Sequence, residues 1–148
     1  MTITPLSRAS LRSYRELGVW QRSMELCVAS HRVADGLPPV QRVGLGSQIR
    51  RAAGSVPANI AEGYGRVHRG DYVHHLSIAR GSLKELETHL MVANRLRHVS
   101  DEDLMQLDRL CWRVSRMLGQ LILALWEKGP PRRSPATPHV TPPRTPKA

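Results

Sequence analysis

Nineteen of the 148 residues are arginine, and their spacing as much as their number points to chemistry with phosphate. A guanidinium group is planar, stays charged, and presents two parallel donors to a pair of oxygens. Arg109, Arg113 and Arg116 stand at i, i+4 and i+7, the spacing of one exposed helix edge. Arg66 and Arg69, with His68 between them, crowd a single connection. Arg8, Arg12, Arg15 and Arg22 would make a further ridge if the first helix begins early. With Arg50 and Arg51, the candidate nucleic-acid contacts are Arg50, Arg51, Arg66, Arg69, Arg109, Arg113 and Arg116. Twenty-two basic residues against twelve acidic ones leave a net charge of +10, which supports an acidic partner, nucleic acid first. Two blander readings stand beside this one. Any single cluster can be a solvated face, and a GC-rich codon bias enriches arginine whatever the function.

Arg50 and Arg51 cannot both serve one partner, because neighbours on a helix point about 100° apart. One is expected to pair with a carboxylate such as Glu62, Glu85 or Glu87, and the other to face outward or across a subunit interface. Asn59 and Glu62 lie beside an apolar stripe and are expected to set helix register through buried hydrogen bonds.

Other chemistry finds little support. Asp71, His74 and His75 could meet a metal on one turn, but no further ligand is placed to help. A di-iron bundle needs Glu-x-x-His on two helices; Glu85 and His89 are four apart, the wrong offset. There is no phosphate-cradling Gly-x-x-x-x-Gly-Lys-Ser/Thr, and Gly63-Tyr-Gly65 lacks the preceding strand of a dinucleotide loop. Cys27 and Cys111 sit on apolar stripes, so buried free thiols in a reducing cytoplasm are expected, not a disulfide or a nucleophile. Trp20, Trp112 and Trp126 could stack bases, but no basic–aromatic alternation along the chain supports it. Trp20 reads as core, and Trp112 and Trp126 as candidates for a subunit interface. No catalytic residue, metal site or cofactor is expected.

The elements that would position these residues are helical. A first helix is expected over about Arg15–Asp35, with Trp20, Met24, Cys27, His31 and Ala34 on its inward face, flanked by Val19, Leu26 and Val33. Gly36-Leu-Pro-Pro39 ends it. A second helix carries the stripe Leu45, Ile49, Ala52, Val56 and Ile60, is kinked by Pro57, and closes at Gly63-Tyr-Gly65. Its small residues Ala52, Ala53, Gly54 and Ser55 would let another helix approach closely. A third helix runs from about Arg69 to Arg97 on a seam of Tyr72, Leu76, Ala79, Leu83, Leu86, Leu90 and Ala93. Ser100 caps a fourth, whose first turn holds Asp101, Glu102 and Asp103. Its seam is Leu104, Leu107, Cys111, Val114, Leu118, Leu121 and Leu125.

The expected fold is therefore all-α, an antiparallel up-and-down four-helix bundle over residues 14–128. A mobile lead precedes it over 1–13, and a Pro/Arg-rich tail follows over 129–148. That tail holds seven of the eleven prolines and no acid, and is expected to be disordered, either a solubilising appendage or a source of loose affinity for nucleic acid. No apolar run reaches the roughly 20 residues a bilayer span needs, and no apolar leader opens the chain, so a cytoplasmic protein is expected.

Four segments, Val19-Trp20-Gln21, Leu45–Ala53, Ser55–Gly63 (Ser-Val-Pro-Ala-Asn-Ile-Ala-Glu-Gly) and Ile78–Thr88, carry a resemblance to a known family. In that order they resemble the four-helix-bundle proteins encoded in 23S rRNA intervening sequences. More distantly, the chain is similar to the accessory variability proteins of diversity-generating retroelements. The resemblance covers about residues 15–127 and implies a ring-like homopentamer with a basic surface. It also implies nucleic acid and a reverse transcriptase as partners, as for the retroelement relatives. One departure stands out: where the family usually carries a pattern like Phe-Ile-Arg-Phe-Leu, this chain reads Tyr72-Val-His-His-Leu76.

Two functions follow as expectations. One is a non-catalytic nucleic-acid-binding accessory protein acting as a homo-oligomer, beside a reverse transcriptase. The other is an intervening-sequence-type interaction module that docks an acidic protein without touching nucleic acid.

Overall fold

Ser100 opens the last helix as its sequence demands: its hydroxyl accepts the backbone N–H of Asp103 at 3.1 Å, with three acids in the first turn against the positive helix end. That helix is one of five in the computed structural model, which describes residues 11–128. A 3-10 turn at Tyr14–Glu16 precedes α1 (Gly18–Asp35), the short α2 (Pro39–Val43), α3 (Leu45–Tyr64), α4 (Arg69–Arg95) and α5 (Asp101–Glu127). The four long helices pack as the pairs α1–α3, α3–α4, α4–α5 and α5–α1, which closes an antiparallel up-and-down bundle. The expected tail over 129–148 and most of the expected lead over 1–13 lie outside the described residues. At the near edge of the lead, Leu11 is tied down by its carbonyl, which accepts the Tyr64 hydroxyl at 3.0 Å.

The core follows the seams read for α3, α4 and α5. On α4, Leu76, Ala79, Leu83, Leu86, Leu90 and Ala93 are buried and Tyr72 half-buried; on α5, Leu107, Cys111, Val114 and Leu118 are buried. Pro57 is accommodated inside α3 without breaking it, and itself lies in the core. Short α2 was not expected: Pro39 at its first position needs no N–H partner there and is preset for a helical φ.

The inward face of α1 differs from the expected one by one position. Val19, Ser23, Leu26, Ser30 and Ala34 are buried, while Met24 is exposed and Trp20, Cys27 and His31 are half-buried. Two serines can occupy a core because each hydroxyl is satisfied within the helix. Ser23 donates to the Trp20 carbonyl at 2.7 Å, and Ser30 to the Leu26 carbonyl at 2.8 Å. Trp20 packs from the rim, edge-on to Tyr14 with ring centroids 5.2 Å apart.

Between α3 and α4 runs a chain of polar contacts. The Ser55 and Ser82 hydroxyls meet at 2.8 Å, and the Asn59 amide donates to the Ser55 carbonyl and hydroxyl. With its nitrogen so engaged, Asn59 turns its oxygen to His75 Nδ1 at 3.2 Å. Nε2 of the same ring lies 3.8 Å from Glu62, which pairs with Arg66. The first histidine of the Tyr72–Leu76 segment, His74, is exposed; the second is part of the helix junction. Of the small residues Ala52, Ala53, Gly54 and Ser55, expected to admit a neighbouring helix, Ala52 and Ala53 are buried and Ser55 meets Ser82. A Cβ on Gly54 would meet nothing within 4 Å; a tighter crossing is at Gly63, against Tyr72 and His75.

Candidate nucleic-acid interface

α5 builds the surface with most to offer a polyanion. Its inner seam fixes its rotation, and that places Arg109, Arg113 and Arg116 together on the solvent side, all exposed. None of the three makes an ion pair among the described residues. Arg116 instead lies over the Trp112 indole, its guanidinium carbon 5.4 Å from the ring centre.

The same rotation exposes a second pattern. Met105, Arg109, Trp112, Arg116, Gly119, Leu123 and Trp126 follow alternating steps of four and three, one stripe beside the buried seam. Trp112 is 62% exposed and Trp126 67%, with Leu123 and Met105 also open to solvent. The stripe has two halves of different character. Around Trp112 it is basic and aromatic, and from Gly119 to Trp126 it carries no charge. A basic–aromatic alternation therefore exists here, although none is visible along the linear chain. Reading α5 at steps of three and four, instead of residue by residue, would have found it.

Trp112 stands between two shallow hollows. One is lined by Asp108, Arg109, Trp112 and Arg113. The other lies toward α4, where Lys84, Glu87 and Met91 face Asp108, Trp112 and Ser115. Partial burial and the nearby Glu87 carboxylate push the Asp108 carboxyl above its ordinary range. Beneath them, burial pushes the Cys111 thiol up to about 12, with Glu87 and Asp108 adding to the effect. Cys111 is thus a protonated core thiol.

The remaining candidates are more committed within the chain. Arg50 binds Asp35 at 2.6 Å and also donates to the Arg42 carbonyl at 3.2 Å, joining the end of α1 to α2 and α3. Its partner is Asp35, not Glu62, Glu85 or Glu87. That hydrogen bond holds the Asp35 carboxyl below its usual range. Arg51 is exposed and donates to Gln48, one turn earlier on the same helix. Arg66 pairs with Glu62, and Arg69 is exposed at the start of α4. Among the described residues, no three of His, Cys, Asp and Glu gather as metal ligands, and Asp71, His74 and His75 make no such group. Nor is any described helix long and apolar enough to cross a membrane.

Residues 15–120 match the family of 23S rRNA-intervening sequence proteins. The chain belongs to that family. The match takes in the polar α3–α4 junction and the Arg109–Trp112–Arg116 stretch, so both lie within this family member's shared domain. The fold has a solved counterpart, the crystal structure of a protein with unknown function from the S23 ribosomal protein family of Bacteroides thetaiotaomicron VPI-5482. It is 24% identical, over 70% of this chain and 97% of that one, with a TM-score of 0.67. No curated protein matches the chain.

Proposed function

We propose that this family member is a non-catalytic nucleic-acid-binding accessory protein that works as a homo-oligomer, with RNA contacted through phosphate and not through base sequence. The observation that carries the reading is the exposed trio Arg109, Arg113 and Arg116, held on one edge of α5 with no acidic partner among the described residues. Arg51 and Arg69 add charge at other points of the surface, Arg66 being bridged to Glu62, and self-association would multiply the ridge around the assembly. The family's name ties its members to intervening sequences of 23S rRNA, which makes structured RNA the natural probe. The retroelement resemblance adds a reverse transcriptase as the protein partner, to be sought by co-purification with the enzyme.

The deciding experiment is fluorescence anisotropy with a structured, mixed-sequence RNA over a salt series. Submicromolar binding with a steep salt slope supports the reading, because neutralised phosphates release counterions. No binding at low salt overturns it.

A second reading rests on the uncharged end of the α5 stripe. Leu123 and Trp126 are 59% and 67% exposed, a large apolar surface for a lone chain. In that reading the protein is an interaction module: this apolar end anchors an acidic protein, the basic surface beside it meets the partner's carboxylates, and the same titration then shows no RNA binding.

A further inference from the structure

We propose that Trp112, flanked by Arg109 and Arg116, is a stacking platform for an unpaired base, so that the protein's nucleic-acid ligand is single-stranded. The proposal rests on the nucleic-acid reading above and names the substrate class of that surface.

The geometry of the platform is local and complete. Arg109 stands one turn before Trp112 and Arg116 one turn after it, on the same stripe. Arg116 covers the indole from one side, 5.4 Å from its centre, and the residue is still 62% exposed, which leaves an aromatic face for a second planar group. A base seated there has an arginine one turn away on either side, their backbone positions about 10.5 Å apart in axial rise, to receive the phosphates that flank it. Duplex bases have no free face to offer, whereas unpaired bases stack on aromatic side chains whatever their identity.

Charge around the ring gives the strand a direction. On the α4 side, the hollow beside Trp112 holds Glu87, bridged to Lys84 at 2.9 Å, and Asp108, which leaves an excess of negative charge to repel phosphate. On the opposite side, Arg109 and Arg113 outnumber the one acid of that hollow, Asp108, which borders both. The backbone therefore runs along the arginine edge, and the base projects over the indole. The same charges argue against this half of the stripe pairing with itself in a second copy of the chain. Burying it would desolvate Arg109 and Arg116, which have no acid to meet on their own stripe. Leu123 and Trp126 carry no such cost.

The test compares the full-length wild type with Trp112→Ala and Trp112→Phe. Each is titrated against a mixed single-stranded RNA, the same strand with abasic sites, and a duplex of equal length. On the ordinary single strand, Trp112→Ala is expected to weaken binding by about tenfold to a hundredfold, and Trp112→Phe by much less. The abasic strand should bind the wild type as weakly as the ordinary strand binds Trp112→Ala, with no further loss when both changes are combined. Salt slopes should stay unchanged, because the phosphate contacts remain.

If the wild type binds ordinary and abasic strands alike, or Trp112→Ala binds as the wild type does, the platform is overturned while nucleic-acid binding stands. Absence of binding to any of the three ligands at low salt overturns both readings together. Sedimentation supplies the remaining outcome: a smaller assembly in Trp112→Ala, with equal weakening on all three ligands, assigns the residue to self-association and overturns the platform.

Discussion

A Cβ placed on Gly63 would lie 2.8 Å from the Cβ of His75, closer than two such carbons can stand. The same atom would meet the Tyr72 ring at 2.9 Å and the Tyr72 carbonyl oxygen at 3.2 Å. These neighbours belong to the backbone of α4 or sit next to it, so relief requires the helices to part. Gly63→Ala is expected to lose about 1–2 kcal/mol, overpacking outweighing the better helix propensity of alanine. At Gly81 the added carbon meets nothing within 4 Å, and Gly81→Ala should gain about 0.5–1 kcal/mol. Urea denaturation of the two variants checks the opposite signs; equal effects would mean α3 and α4 are not in contact at Gly63.

Just past the end of α4, Arg97 takes a left-handed conformation, with φ of 63°. Its N–H donates to the Asn94 carbonyl at 2.8 Å and that of His98 to the Ala93 carbonyl at 2.9 Å, the bonding of a Schellman cap. Glycine suits that position better than any residue with a Cβ. Arg97→Gly should therefore raise unfolding stability by about 1 kcal/mol, and Arg97→Ala should not. A gain of equal size from alanine would show that charge, not backbone strain, is being relieved.

Leu118 is fully buried and Leu123, five residues on, is 59% exposed. Leu118→Ala is expected to cost about 2–5 kcal/mol as a core cavity. Leu123→Ala should leave stability within about 0.5 kcal/mol and, under the proposed self-association, act on assembly size instead. Thermal melts paired with sedimentation separate the two. A wild-type melting temperature for Leu118→Ala would mean α5 is rotated from the orientation described.

Burial raises the Cys111 thiol from about 9 to about 12, and Tyr72 is likewise pushed up to about 12 by burial and by Tyr64. For both groups the folded chain keeps a proton that the unfolded chain has released. Stability should therefore fall as pH rises from about 9 toward 12. Urea midpoints measured across that window should decline, and Cys111 should resist alkylation at pH 8 until the protein is unfolded. A flat profile with rapid alkylation would place the thiol in water.

Changing Arg109, Arg113 and Arg116 together to Glu should abolish RNA binding at moderate salt. Where low salt still allows a measurement, the log–log salt slope should drop by about 2–3. Far-UV circular dichroism should be unchanged, since all three side chains are exposed. Wild-type affinity in this variant would remove α5 from the interface.

Helices α3, α4 and α5 were legible because their cores are spelled mainly in leucine, isoleucine, valine and alanine at steps of three and four. α1 was misread by one position, because Ser23 and Ser30 are buried while Met24 and Val28 are exposed. Hydropathy cannot see a serine whose hydroxyl is spent on its own helix. The partner of Arg50 was missed for a different reason: Asp35 is 15 residues away and is brought near only by the turn through α2. At the candidate site, the arginine edge was plain from its spacing. Its coincidence with Trp112 was not, because the side chains of one helical stripe are scattered along the chain.

Leucine seams have a weakness: they repeat, so α4 could slide a heptad along α3 and still lay leucine on the stripe of Ile49, Val56 and Ile60. Such a slip would bring His89 opposite Ser55 in one direction and His75 opposite Ser55 in the other. Either puts an imidazole where two hydroxyls now meet at 2.8 Å. The polar contacts between α3 and α4 thus behave like the teeth of a key, admitting one alignment out of several that greasy surfaces alone would accept.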